Sequence, residues 1–262
     1  MKHIRKQRSR SNHNSGSAGT KEKTPANINE ADIAKNAIIA NISHEIRTPM
    51  NAIMGFAQML QSTSLDAKQA DYVEVIMDSG KKLLILINNL LDLSNLQLGK
   101  TTLHPTEFDL DSTIKKVWNH FRPLIAAKNL KPVLECPEHL PIIRADSEKV
   151  ERVLSFILSN ALKFTLKGQI CLRVKLEQQS DSKSMLSFEV EDTGCGIEKD
   201  KLEYIFDAFE QADNSVTRLY QGMGLGLSLS SKLVELLGGD IGATSTFGEG
   251  SCFFFNVPVD TY

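Results

Sequence analysis

An α+β chain in two parts, a helical hairpin followed by a layered domain of mixed helices and strands, is the fold class that the sequence predicts. Three observations lead to it. Apolar residues step by three and four through the region after Ile39, strand-like alternation begins only after about residue 130, and ten of the 16 glycines crowd between Gly194 and Gly250. A chain of 262 residues is long enough for two domains of the usual size, roughly 150 residues. Its 41% hydrophobic and 24% charged residues match ordinary globular usage, and no run approaches the roughly 18 consecutive apolar residues of a membrane span. That composition excludes a wholly disordered chain and predicts no transmembrane segment.

The net charge of −2 hides an asymmetry, because residues 1–23 hold seven Lys and Arg against one Glu, leaving 23 basic and 31 acidic residues for the rest. An acidic folded part argues against nucleic acid as a partner. Residues 1–35 are rich in Ser, Asn, Lys and Arg with scattered apolar side chains. Too little apolar surface is available there to offset ordering entropy, so a disordered basic tail is expected. It lacks the apolar core of an export signal; its charge suits either plain solvation or weak contact with an anionic membrane surface. Cys136, Cys171, Cys195 and Cys252 lie far apart with no C-x-x-C pair, which suggests neither zinc nor a disulfide framework and fits a cytoplasmic location.

Residues 36–102 read as the hairpin. Ile39, Ile42, Ile46, Pro49, Ile53, Phe56 and Leu60 form one seam, and after a polar turn Val73, Ile76, Gly80, Leu83, Ile87 and Leu90 form a second. About 60 residues cannot cover so wide an apolar face alone, and pairing of two hairpins into a dimeric four-helix bundle, a homodimer, resolves this. Residues 106–260 form the second domain. Helices are expected at Asp111 to Lys128, at Ser147 to Thr165 with Ser147 as N-cap, and at Leu225 to Leu237. Strands are expected at Val133 to Glu135, Ile143 to Ala145, Ile170 to Leu176, Leu186 to Glu191, Asp240 to Thr244 and Cys252 to Val259. Without a regular βαβ alternation, α+β layers are favoured over a doubly wound sheet.

His44 carries the chemistry of the hairpin. With Ile39 and Ile42 at a and d, His44 falls at f, farthest from the seam. Glu45 is its neighbour, and Pro49 removes the backbone N–H that would bond the Glu45 carbonyl, so the helix should bend there. An exposed imidazole whose one nitrogen is held as N–H by a carboxylate offers the other as a nucleophile. In the second domain, Asp192-Thr193-Gly194-Cys195-Gly196 follows a strand and precedes an expected helix. A carboxylate can accept from an adenine amino group while glycines let backbone approach the base; a simple turn is the alternative. Gly222-Met223-Gly224-Leu225-Gly226 opens a helix whose N–H groups suit phosphate. The polar stretch Gln211 to Gln221 before it resembles a mobile lid rather than the strand that a dinucleotide fingerprint needs.

Ser43-His44-Glu45-Ile46-Arg47-Thr48-Pro49-Met50-Asn51 resembles the H-box of sensor histidine kinases, and the resemblance extends over about residues 35–260. Asn160-Ala161-Leu162-Lys163-Phe164-Thr165 resembles their N-box, Asp192 to Gly196 the G1 box, Ile205 to Phe209 the F-box and Gly222 to Leu227 the G2 box, in the family's order. Gly248-Glu249-Gly250-Ser251 is similar to the last glycine box or is a plain hairpin turn. The resemblance implies a Bergerat-type ATP-binding α/β sandwich behind a phosphotransfer hairpin. It implies autophosphorylation of His44 with Mg-ATP, with Glu45 as general base, and transfer to an aspartate of a response-regulator receiver domain. Thr48 matches the position that places water for dephosphorylating that regulator. By the same resemblance Asn160 holds Mg²⁺, Lys163 and Arg218 neutralise phosphate, and Phe164, Asp192, Gly194, Gly196, Gly222, Gly224, Leu225 and Gly226 line the nucleotide site.

One position departs from the pattern. The family usually carries a second Asn one helical turn before the metal-binding one, where this chain has Phe156. A phenyl ring neither ligates Mg²⁺ nor bonds phosphate, so a catalytically weakened scaffold or phosphotransfer module is the alternative to an active kinase. An ATPase machine of the gyrase and chaperone kind is a third possibility, against which the H-box argues.

Overall fold

A computed structural model of the chain describes residues 4–5, 30–180, 182–210 and 224–261. Two compact units result, residues 12–101 and residues 1–11 with 102–262.

The first unit is the expected hairpin. Helix α1 (Glu30–Gln61) runs unbroken through Pro49, and helix α2 (Ala67–Gln97) packs against it. The connection is polar and closed locally: the Ser62 and Thr63 hydroxyls donate to the Met59 and Leu60 carbonyls at 2.7 and 2.8 Å. Asp66 then caps α2 in a reciprocal box, accepting from the Gln69 N–H at 2.8 Å while Gln69 Oε1 accepts from the Asp66 N–H at 3.1 Å.

On α1 the face that closes the hairpin differs from the predicted seam, while on α2 it takes in Val73, Gly80 and Ile87 of the predicted one. Ser43 and Ala57 are buried on α1 with Met50 half-buried between them, against Val73, Gly80, Ile87 and Ser94 on α2. Both rows repeat every seven residues. A Cβ on Gly80 would lie 2.2 Å from Met54 Sδ, so small residues let the helices approach. The larger seam is left open: Ile53 is 49% exposed and Phe56 68%, with Leu60, Tyr72, Ile76 and Leu83 also exposed. Small side chains inside and large ones outside explain why a seam read from bulk alone lands on the wrong face of α1.

Among the described residues, the second unit is a sandwich of one mixed sheet and three helices. Strand β1 (Ile4–Arg5) is followed after the hairpin by β2 (Thr106–Asp109), α3 (Leu110–Ala127), β3 (Lys131–Glu135), β4 (Ile142–Ala145) and α4 (Ser147–Phe164). Then come β5 (Gln169–Ser180), β6 (Lys183–Asp192), α5 (Gly226–Leu236), β7 (Asp240–Thr246) and β8 (Gly250–Thr261). The sheet order is β1-β7-β8-β6-β5-β3, antiparallel except for the β3–β5 pair, and β4 joins β2 to the end of β8. Alternation along β6 buries Ser184, Leu186, Phe188, Val190 and Asp192 on the inner face. Phe188 stacks there on Phe255 of β8, rings 4.7 Å apart. Arg173 on the outer face is bound by Glu135 and Glu191 at 2.6 and 2.7 Å.

Several expectations need correction. β2 was not predicted, since four residues after Pro105 carry little pattern of their own and pair only through β4. The stretch after Gly196 forms turns over residues 199–206 instead of a regular helix. Of the expected disordered tail, Ile4 and Arg5 pair with Ala243 and Gly242 at the free edge of β7, α1 starts at Glu30 within it, and the rest lies outside the described residues. The cap of α4 is Asp146, one residue earlier than predicted. Its carboxylate accepts from the Lys149 N–H at 3.2 Å, the His104 N–H at 2.9 Å and Lys149 Nζ at 2.6 Å. Burial pushes this carboxyl up, but those donors outweigh it and hold it below the usual range. Asp146→Ala should therefore cost the second domain about 1–2 kcal/mol in urea unfolding, whereas Ser147→Ala should cost only a few tenths; equal losses would restore Ser147 as the cap.

Candidate functional site

The nucleotide-site residues converge where α4 and β6 end beside the start of α5. Asp192 closes β6 and is 6% exposed. It accepts from the Gly194 N–H at 2.8 Å, and the Ser251 N–H and Thr165 hydroxyl also donate to it. Burial raises its carboxyl to about 6 against the pull of those donors, and Glu191 adds to the rise. No cation faces it among the described residues, so an ionised Asp192 is a buried charge held by dipoles alone. A ligand that brings N–H donors would relieve it, which fits an adenine amino group.

Glycines hold the loop after Asp192 for a reason that the motif does not give. A Cβ on Gly194 would lie 2.6 Å from the Phe164 carbonyl oxygen, and one on Gly196, at φ +67°, would lie 2.1 Å from that of Thr246. Protein backbone on its own therefore excludes side chains here. Gly248 N–H donates to the Cys195 carbonyl at 2.8 Å, and Ile197 N–H to Ser245 Oγ at 2.8 Å. The Gly248 to Ser251 segment is thus the β7–β8 turn and also a strut under the loop. Thr193 ties the other side, accepting from the Gln169 N–H at 3.0 Å and donating to the Lys167 carbonyl at 2.9 Å.

Along α4, Arg152, Phe156, Asn160 and Lys163 follow at helical spacing and are all half-buried. The Asn160 amide takes no hydrogen-bond partner among the described residues, so its oxygen is available to a hard cation. No group of three His, Cys, Asp or Glu stands ready for a metal among the described residues. Asn160 fits Mg²⁺ as one protein oxygen only, the other ligands being phosphate and water. Lys163 Nζ lies 4.5 Å above the neighbouring Phe164 ring, and burial lowers its ammonium. Phe156 is brought against Gly226, the first residue of α5: a Cβ there would stand 3.4 Å from the ring. Leu225 is buried as the N-cap residue of α5, which has no side-chain cap. Gly224, at φ +67°, accepts from the Phe209 N–H at 3.3 Å and so meets the end of the buried Leu202, Ile205 and Phe206 cluster. Arg218, Gly222 and the expected lid at Gln211 to Gln221 lie outside the described residues.

On the hairpin, His44 sits within α1 between buried Ser43 and exposed Glu45; its side chain lies outside the described residues. Thr48 is exposed one turn on, and Arg47 Nη2 donates to Asn88 Oδ1 of α2 at 2.8 Å. Two contributors were missed in the sequence. Thr165, fully buried, donates to the Ala161 carbonyl at 2.7 Å and braces Asp192, a role that the Thr ending the N-box could have signalled. Ser245 gave no sequence signal, because only the sheet register brings it to Ile197.

The second domain is thus an α/β sandwich with a buried carboxylate beside glycine-held loops, and the helical hairpin before it carries His44. The family model described as His Kinase A (phospho-acceptor) domain matches residues 34–99, and that described as histidine kinase-, DNA gyrase B- and HSP90-like ATPase matches residues 145–261. The chain therefore carries the phospho-acceptor and ATPase domains found in histidine kinases. It is 39% identical over 87% of its length to hybrid signal transduction histidine kinase B of Dictyostelium discoideum, covering 12% of that protein. It is likewise 39% identical over 87% of its length to the sensor protein GacS of Pseudomonas syringae pv. syringae, covering 25% of it. The structure of full-length ShkA in complex with AMPPNP superposes with a TM-score of 0.74 at 32% identity, over 87% of this chain and 46% of that one. The chain thus spans an eighth to a quarter of the first two relatives. No helix among the described residues is long and apolar enough to cross a membrane.

The raised Asp192 carboxyl has a defined pH signature. Its folded value of about 6 lies above the unfolded one, so its contribution is complete below about pH 4, falls as pH rises through about 6, and is flat above. The stability difference between wild type and Asp192→Asn should change by on the order of 2–3 kcal/mol across that window. Denaturant unfolding from pH 4 to 7.5 measures it; a pH-independent difference would mean an unperturbed carboxyl.

Proposed function

We propose that this chain is the catalytic core of a two-component histidine kinase: it phosphorylates His44 from ATP and passes the phosphoryl group to an aspartate of a response-regulator receiver domain. The observation that carries the proposal is one chain holding both the H-box, Ser43 to Asn51 on α1, and a sandwich whose buried Asp192 awaits a donor-bearing base. In the first step a His44 ring nitrogen attacks the γ-phosphorus in line. A P–N bond forms as the bond from that phosphorus to the β–γ bridging oxygen breaks, and ADP leaves with the electron pair. Glu45 holds the opposite ring N–H and takes its proton. Asp192 orients adenine, Gly194 and Gly196 shape the loop beside it, and Phe164 and Leu225 wall the site. Lys163, with Arg218 and the Gly222, Gly224 and Gly226 turn, neutralises phosphate charge. Mg²⁺, held in part by Asn160, supplies further neutralisation of the phosphates when bound. In the second step a receiver carboxylate attacks the phosphorus, the P–N bond breaks, and the imidazole regains its proton. Thr48, at the H-box position, orients water for a separate hydrolysis, in which water attacks the regulator's acyl phosphate, the aspartyl C–O–P linkage breaks and inorganic phosphate leaves.

The open seam supports a homodimer. Burying Phe56, Met59 or Leu60 contributes about 1.5–3 kcal/mol each, and a second hairpin with the same seam gives a four-helix bundle. ATP as donor and four free cysteines suit the cytoplasm. The alternative of a weakened, phosphotransfer-only module rests on Phe156, a ring at the position of the family's usual second Asn, packed against Gly226.

Incubation with γ-labelled ATP and Mg²⁺ should give acid-labile, base-stable label that disappears in His44→Gln. Label surviving that substitution would refute the acceptor, and label appearing only in Phe156→Asn would select the phosphotransfer-only reading. Sedimentation should show a dimer that Phe56→Glu with Met59→Glu converts to monomers; an unaffected dimer would place the interface elsewhere.

A further inference from the structure

We propose that Arg152 is a binding residue for the terminal phosphate of the nucleotide, held in place by Phe156. The inference rests on the ATP-binding reading above and specifies how its phosphate end is recognised.

Three observations meet at one ring. The Arg152 guanidinium lies 5.6 Å from the Phe156 ring centroid, within cation–π range. The same ring stands against the first residue of α5, 3.4 Å from where a Cβ of Gly226 would be, so one aromatic side chain lies beside both the guanidinium and the start of α5. Arg152 is also in register with the site, since it continues the row Phe156, Asn160 and Lys163 one turn toward the N-terminus of α4. The half-buried row carries a cation at each end and the Asn160 amide between.

Chemistry gives the order of groups along that row. Adenine is assigned to Asp192, beyond the C-terminal end of α4, and the metal-binding amide to Asn160. The polyphosphate then runs back along α4 toward its N-terminus, so its last and most charged phosphate lies nearest Phe156 and Arg152. A bare phenyl ring facing a dianionic phosphate end would be repulsive at its negative face. A guanidinium beside that ring reverses the sign, and guanidinium groups pair with phosphate oxygens through charge-assisted N–H bonds. Stacking also limits the rotamers of a long side chain, so less freedom is lost when phosphate binds. A purely structural stack would have no preference among nucleotides.

The test is nucleotide binding to the full 262-residue chain, measured by calorimetry for ATP, ADP and AMP with Mg²⁺ and with EDTA. Arg152→Gln should weaken ATP by at least about tenfold, the size of one hydrogen bond to a charged group, while ADP and AMP change little. The loss should persist in EDTA, because the guanidinium acts without the metal. Arg152→Lys should recover part of the ATP preference, and Phe156→Leu, which keeps apolar packing against Gly226 but removes the stack, should lose part of it. Equal losses for all three nucleotides, or none, in Arg152→Gln would overturn this inference while leaving ATP binding intact. Wild type that binds no nucleotide at all would overturn the ATP-binding reading as well.

Discussion

A carboxylate buried at the end of a central strand is the constraint around which the second domain is organised. Asp192 has no cation beside it among the described residues and is held by the Gly194 and Ser251 N–H groups and the Thr165 hydroxyl. Each donor arrives from a different element: the loop after β6, the start of β8 and the end of α4. To bring all three to one side chain, backbone must pass against backbone, which is why Gly194, Gly196 and Gly250 are glycines. The cost of burying a carboxyl is met only in part by these donors, as its rise to about 6 records. A domain in this state is primed for a ligand that donates hydrogen bonds.

The inner face of the sheet and the edge of α4 divide two tasks. Phe188 on Phe255, with Leu154, Ile157 and Leu158 above them, supplies the close-packed layer that fixes α4. Because that side of α4 is locked, its margin can present Asn160 and Lys163 with defined positions. Phe156 sits at the boundary of the two: it is half-buried in the row of Asn160 and Lys163 and packs against Gly226 of α5.

The hairpin obeys a different rule, in which side-chain size decides which face of α1 closes within the chain. Ser43, Ala57 and Gly80 permit close approach within one chain, and the bulky seam of Ile53, Phe56 and Leu60 is left at the surface. Exposed apolar area of this kind on a histidine-bearing helix is more than a lone hairpin needs and suits a second copy.

Much of this was legible in the sequence, and the rest was not, for a physical reason. Periodicity located α2, α3, α4, α5, all of α1 but its first turns, and most strands to within a few residues, because helical and strand patterns are local properties. The H-box and the order of Asn160, Asp192 and Gly222 to Gly226 identified the family, because chemistry demands particular side chains at particular spacings. Which residues meet across long separations was not encoded locally. Thr165 and Ser251 at Asp192, Asp146 in place of Ser147 as cap, the choice of the small seam inside the hairpin and Phe156 against Gly226 all depend on close approach between distant segments. Only the tertiary structure, where sheet register and helix packing fix those approaches to tenths of an ångström, decided them.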